Sequence, residues 1–382
     1  MSLPRKILSR LTDRDWLARR LRRGMGDGIS RAKEAVEVLD TRVSARIPLS
    51  EPIEALRHRL ETQPALDFLH VDHSGANPDP GISLINLARQ NAETRAKLVA
   101  LANAGFHVYA LRDGVTSLVR HRRIRHLWRE VIAGHVQVDE NEIFHTLERA
   151  PGPGEPRLLV VFSSIAAKIY NPGLMRHFER NFSSLPKYVP QNTHILRIAD
   201  FGAVLGSFYL NSLALPQNET HIWARIAATA AELKVARHNI VLYGASKGGT
   251  AATFHALRHG LRAVAVDPIL SDEHYVKVHR DLHFTQGTFP ATKQARFRAL
   301  IRNALHPEAK LSVICSRRSP QFAYIEPTLI TPFRDRFLFL DSDNPGIENH
   351  PDVGPKTVAH TLSQLNLHLA GLTPPSGLHT VW

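Results

Sequence analysis

The residues best suited to chemistry lie in one turn, Gly244-Ala245-Ser246-Lys247-Gly248-Gly249. It follows an apolar run, "NIVLY", and precedes a helical pattern that reaches His259. A serine at the apex of a sharp strand-to-helix turn is held in a strained conformation that lifts its hydroxyl above a sheet. Glycines two residues to either side remove Cβ atoms that would clash where strand and helix cross. The amide of Lys247 then points to where an acyl oxyanion would form. Two other readings compete. A phosphate-binding loop needs Gly-Lys-Ser/Thr at the helix start, and the corresponding positions hold Ala251, Ala252 and Thr253 with no lysine. A tight glycine-rich corner with an incidental serine is the other, and only the serine's partners decide against it.

A serine nucleophile requires a base and a group that orients the base. On sheets of this kind the chain order is Ser, acid, His, with the histidine in the loop after the last strand. The chain has 22 histidines, and His350 is the one in that loop, "DSDNPGIENHPDVGP". His360, in a helical pattern ten residues later, is the fallback. The acid stays open. Glu326, nearest the strand end in the loop after the penultimate strand, comes first, and Asp267, closing "RAVAVDP", is the alternative. A second oxyanion amide is expected from the loop after "LLVVFSS", from Ser163, Ser164 or Ile165.

These side chains need a scaffold. From residue 157 onward, short apolar runs ("RLLVVFSS", "THILRIADF", "NIVLYGAS", "RAVAVDP", "LSVICSR", "RFLFLDSD") alternate with helical patterns. That pattern predicts an α/β fold with a doubly wound, mainly parallel sheet, whose ligands bind beyond the carboxyl ends of the strands. "PGPGEP", Pro151 to Pro156, reads as a boundary. Before it, residues 46–150 read as an accessory α+β region with a hairpin around "RDG". Residues 1–45 read as a basic helical N-terminal extension. The catalytic unit is then 151–382.

The formal net charge is +13, and Met1 to Arg23 carries eight basic residues against Asp13 and Asp15. Such a balance favours anionic partners: an anionic glycan, a lipid-linked saccharide, an acyl-CoA co-substrate, or peripheral contact with an anionic membrane surface. Aromatic residues make up 7% and show no base-stacking pattern, so no specific nucleic acid is expected. No metal site or bound cofactor is expected either. The single cysteine, Cys315, rules out a disulfide within the chain. Without a signal-peptide pattern or a membrane-length apolar run, the expected location is cytoplasmic, at most peripheral to the inner face of the membrane.

The ordered set "LLVVFSS", "RIADFGAVLGSFYLNS", "YGASKGG", "AVDP" and "ENHPDVG" resembles the XcbB/CpsF-type capsular polysaccharide biosynthesis proteins over roughly residues 95 to 365. A looser resemblance is to the glycan O-acetyltransferase component of accessory secretion systems. The resemblance implies an α/β-hydrolase-like core and serine-dependent acyl (O-acetyl) transfer on a glycan. A plain serine esterase or thioesterase, or a non-catalytic glycan-assembly protein, are the rivals. It implies Ser246 as nucleophile and His350 as base, and favours Glu326 as acid. It also implies substrate-binding roles for Asp200, Ser207, Tyr209 and Asn211, with Gly206 among them.

Overall fold

The computed structural model describes residues 43–76 and 79–382, so the basic helix expected over residues 1–45 falls almost wholly outside the described residues. The described chain opens with a four-stranded sheet: β1 (Val43–Pro48), β2 (Leu66–Asp72), β3 (Phe106–Arg112) and β4 (Val115–Arg120), in the order β1-β2-β4-β3. β3 and β4 form the expected hairpin, turning at Asp113 and Gly114 with φ of 49° and 73°. Helices α1 (Ile53–Thr62), α2 (Leu84–Gln90) and α3 (Ala92–Asn103) belong to this unit. α2 and α3 are separated at Asn91, whose side chain accepts from Thr94 N and caps α3.

The second sheet has nine strands: β5 (Gln137–Val138), β6 (Phe144–Glu148), β7 (Arg157–Phe162), β8 (Thr193–Ile198), β9 (Ile240–Ala245), β10 (Arg262–Val266), β11 (Lys310–Cys315), β12 (Leu338–Ser342) and β13 (Gly377–Val381). Their order is β13-β12-β11-β10-β9-β7-β8-β6-β5. Neighbours from β7 to β13 are parallel, and β6 runs antiparallel to both β8 and β5. This is an α/β-hydrolase-like sheet, wound on both faces. Pro151–Pro156 therefore joins two strands of one sheet, β6 and β7, because its turn chemistry suits a crossover as well as a linker.

Alternation along the strands sends side chains to both faces. On β7, Leu158, Val160 and Phe162 face a core completed by α4 (Asn218–Glu232) and α5 (Lys247–His259), through Ile222, Ile226, Ala251 and Phe254. Leu159 and Val161 face the opposite core, with Leu365 and Leu369 on a helix over Val358–Leu369. The two units share apolar surface: Val204, Leu205 and Phe284 of the large unit join the core of the small one. The buried Arg176 guanidinium donates to Val108 O at 2.6 Å across that seam and to Val204 O at 3.3 Å on its own side.

This topology places the chemistry. β9 lies between β7 and β10, so the turn after β9 has the carboxyl-end loops of both neighbours beside it. The register pairs Phe162 with Gly244 and Val266 with Ala245, which brings Ser163 and Asp267 up beside the turn.

Candidate active site

The turn after β9 is built by exclusion of Cβ atoms. A Cβ on Gly244 would lie 2.1 Å from the Gly248 carbonyl, and one on Gly248 would lie 2.4 Å from Phe162 O. Strand end and helix start can therefore touch, and the start of α5 lies against the end of β7. Ser246 occupies the apex with φ 56° and ψ −118°, a conformation that costs about 1–3 kcal/mol for a non-glycine residue. Ser246 N donates to Val266 O at 2.8 Å, and Thr250 Oγ1 to Ile269 O at 2.7 Å, which ties the turn to the β10 loop.

Ser246 Oγ lies 2.8 Å from His350 Nε2, and His350 Nδ1 lies 2.7 Å from Asp267 Oδ2. The structure thus brings Ser246 and His350 together, and the carboxylate beside them is the alternative acid, Asp267. Glu326 is not part of the arrangement. It stands exposed where Phe322, Ile325, Leu329 and Ile330 of the same helical stretch turn inward, and that amphipathic pattern sends it to solvent. Asp267 reaches His350 because its own φ is 42°, a left-handed conformation that redirects the chain at the end of β10. Ser319 Oγ donates to the same Asp267 oxygen at 2.5 Å. Exposure falls along the line: Ser246 is half-buried, the His350 side chain is 11% exposed and that of Asp267 is 2% exposed. A carboxylate in that setting holds the Nδ1 proton of the ring, leaving Nε2 to accept from the serine hydroxyl.

His350 is the first residue of a short helix, His350–Lys356, and its position is fixed by a capping box. The Asn349 side chain accepts from His350 N at 2.9 Å, and Asp352 accepts from Asn349 N at 2.9 Å. "ENHPDVG" is thus a motif for holding a histidine still. The Tyr275 ring meets His350 edge-on at 6.4 Å between centroids. Tyr275 also lies 3.9 Å from the His283 ring, which burial, then the charges of Lys293, His350 and Lys247, hold well below the usual imidazole range.

The expected oxyanion donors separate. Ser163 N donates to Tyr209 Oη at 2.6 Å and Ser164 N to Asn181 Oδ1 at 2.6 Å, so both amides are engaged. The Ser164 expectation is therefore corrected: Asn181, which the sequence reading missed, occupies that donor. The amides of Ile165 and Lys247 take part in neither of these bonds.

The loop "DFGAVLGSFYLNS" turns inward. The Asp200 carboxylate accepts from Ser207 N (3.0 Å), Ser207 Oγ (2.9 Å), Phe208 N (2.9 Å) and Tyr209 N (3.1 Å). Lys247 Nζ lies 3.0 Å from its other side, and both side chains are fully buried. Asn211 exchanges hydrogen bonds with Glu219 and caps α4. The substrate-binding expectation is corrected for Asp200, Ser207 and Tyr209, which are buried and spend their polar groups on one another or on the fold; Asn211 is half-buried and commits its Oδ1 to α4. A string of Gly, Ser, Tyr and Asn reads the same whether it faces a ligand or wraps a carboxylate.

A separate cavity of about 170 Å³ lies at the end of β8, lined by His121, Glu142, Phe144, Phe201, Gln217 and His221 among others, and not at Ser246. Among the described residues no group of three or more His, Cys, Asp and Glu is placed to hold a metal ion, and no helix is long and apolar enough to cross a membrane.

No family model and no curated protein matches the chain. Several solved structures are similar to it. One is the glycosylation-associated protein (Gap123) complex from Streptococcus agalactiae, at 16% identity and a TM-score of 0.48, covering 69% of this chain and 53% of that one. Another is the capsule O-acetyltransferase of Neisseria meningitidis serogroup A, at 13% identity and TM-score 0.44, covering 61% and 93%. A third is FphF, a fluorophosphonate-binding serine hydrolase of Staphylococcus aureus, at 12% identity and TM-score 0.42, covering 60% and 96%. The chain thus spans about half the length of the first of these.

Proposed function

We propose that this chain is a serine-dependent acyl-transfer enzyme, and that its acceptor is a saccharide hydroxyl in surface-polysaccharide assembly. The observation that carries the reading is the unbroken line from Ser246 Oγ through His350 to Asp267, with bonds of 2.8 and 2.7 Å, on a strained turn. Ser246 Oγ attacks the carbonyl of an acyl donor while His350 Nε2 takes its proton. The Lys247 and Ile165 amides receive the charge that develops on the carbonyl oxygen. Collapse expels the thiol or alcohol of the donor, which leaves with the proton from His350. The acyl-serine is then attacked by an acceptor hydroxyl, whose proton passes to His350, and Ser246 is regenerated. Asp267 keeps the ring oriented and offsets the imidazolium charge throughout.

The saccharide acceptor rests on "DFGAVLGSFYLNS" and "ENHPDVG", the motifs that carry the family resemblance. An acyl-CoA donor, an anionic or lipid-linked glycan and contact of the basic residues 1–23 with an anionic membrane face belong to the same proposal and follow the +13 charge; a cytoplasmic location belongs to it through the single cysteine, Cys315. A second reading, hydrolysis by a plain esterase, is favoured by the partial exposure of Ser246, which admits water to an acyl-serine. The test is product analysis with an acetyl donor, with and without a panel of saccharides. Acetylated saccharide that is lost in Ser246→Ala supports transfer. Free acetate alone, unchanged by every saccharide, supports the esterase.

A further inference from the structure

Lys247 is an unusual choice for its place. Its side chain is fully buried, and it stands at the first position of α5, where the helix dipole already disfavours a cation. Apolar side chains in place of both Lys247 and Asp200 would fill the space without desolvating two charges, and replacing a whole buried ion pair in that way is often neutral or stabilising. The ion pair is therefore poorly explained by stability alone, and what it connects is informative. Asp200, its partner, gathers the backbone of residues 207–209. That backbone is contorted: Gly206, Phe208 and Tyr209 have φ of 100°, 57° and 61°, and a Cβ on Gly206 would lie 2.3 Å from Asp200 Oδ2. Two successive aromatic residues hold a left-handed conformation only where their surroundings enforce it. The outcome is the placement of Tyr209 Oη, which donates to Ile198 O at 2.7 Å and accepts from Ser163 N at 2.6 Å. Ser163 opens the segment that carries the Ile165 amide.

We propose that the Asp200–Lys247 pair is a positioning device that holds the two walls of the oxyanion site in register. One wall is the main-chain amide of Lys247. The other is the segment 163–165, reached from the same lysine through Asp200, the 207–209 backbone and the Tyr209 hydroxyl. The inference rests on Ser246 acting as the nucleophile. Donors fixed before reaction stabilise an oxyanion without reorganising, and displacement of one by an ångström costs roughly 10²-fold in rate. Asp200 and Tyr209 are buried, out of reach of a substrate at Ser246, so the effect falls on kcat.

The test uses the full chain hydrolysing p-nitrophenyl acetate, with phenylboronic acid as a tetrahedral mimic. Lys247→Met is expected to lower kcat roughly 10- to 100-fold, leave KM within about twofold, and weaken the boronate by a similar factor. Asp200→Asn combined with Lys247→Met removes both charges, and is expected to regain thermal stability without regaining kcat. Tyr209→Phe deletes only the hydroxyl on Ser163 N and decides the matter if the lysine variants do not fold; it is expected to lower kcat roughly tenfold. A folded Lys247→Met or Tyr209→Phe with wild-type kcat and boronate affinity overturns the inference and leaves the nucleophile reading intact. A wild-type chain that shows no Ser246-dependent turnover overturns both.

Discussion

Replacing Asp267 by Asn isolates the charge behind His350. Asn tolerates the left-handed φ of 42° at this position, so the backbone of the β10 loop is kept. Ser319 Oγ and His350 Nδ1 share Asp267 Oδ2, so with the amide NH2 in that place the Ser319 hydroxyl accepts from it. The amide NH2 then faces His350 Nδ1 and forces the proton to Nε2, where the ring no longer accepts from Ser246. Two losses follow. A charge-assisted hydrogen bond to a buried group contributes about 1.5–3 kcal/mol. The imidazolium that forms in the reaction loses a counter-charge which, at about 4 Å and an effective dielectric near 20, contributes about 4 kcal/mol. These overlap, so the expected loss is about 3–5 kcal/mol, or roughly 10²–10⁴ in kcat with little change in KM. The assay is ester hydrolysis by Asp267→Asn beside Glu326→Gln, with circular dichroism to verify folding. Glu326→Gln should stay within about twofold of wild type, since that side chain is exposed and the side chains bonded to the His350 ring are Ser246 and Asp267. The reasoning is refuted if Asp267→Asn folds and retains wild-type kcat, or if the loss falls on Glu326→Gln instead.

Two further predictions concern the fold around the site. Gly244→Ala should fail to give soluble, folded protein or should lower Tm sharply, because its Cβ meets backbone at 2.1 Å; a variant with wild-type Tm would contradict the tight crossing of β9 and α5. Acid should unfold the protein through its buried histidines. Burial is the largest cause that holds His121 and His259 down to about 4 and His255 and His368 to about 3, from an ordinary 6.5. Their folded values lie below the unfolded one, so the unfolded chain binds protons first, and stability present above about pH 6.5 is lost as pH falls toward 3. Tm should be lower at pH 5 than at pH 7, and an equal or higher Tm at pH 5 would count against it.

The large sheet was legible from β7 to β12 because each of those strands is an apolar run bounded by turn residues. β5, β6 and β13 were not: "QV" is two residues long, "FHTLE" reads as half polar, and "GLHTV" sits past a run of prolines. β1 escaped for a similar reason, since "VSARIP" is mostly exposed and gives no clear period. Ser246 and His350 were legible because their chemistry is tied to local signals, a glycine-spaced turn and a Pro/Gly/Asn-rich loop. The acid was not, because the choice between Glu326 and Asp267 depends on one backbone dihedral and on which face of a helical stretch is apolar. Ser319 and Asn181 left no trace at all; their roles come from contacts 52 and 17 residues away in sequence. The misreading of Asp200 and its loop has a general cause. A string of small polar residues signals that polar partners are close, and is silent on whether those partners are substrate or the chain itself.

The central claim is that Ser246 is a nucleophile activated by His350. The most direct measurement is covalent labelling of the folded chain with a fluorophosphonate probe, read by intact mass and by the labelled peptide. One label is expected, on Ser246, absent in Ser246→Ala and slowed by several orders of magnitude in His350→Ala. Folded wild-type protein that takes no label, or a label that persists in Ser246→Ala, would contradict it.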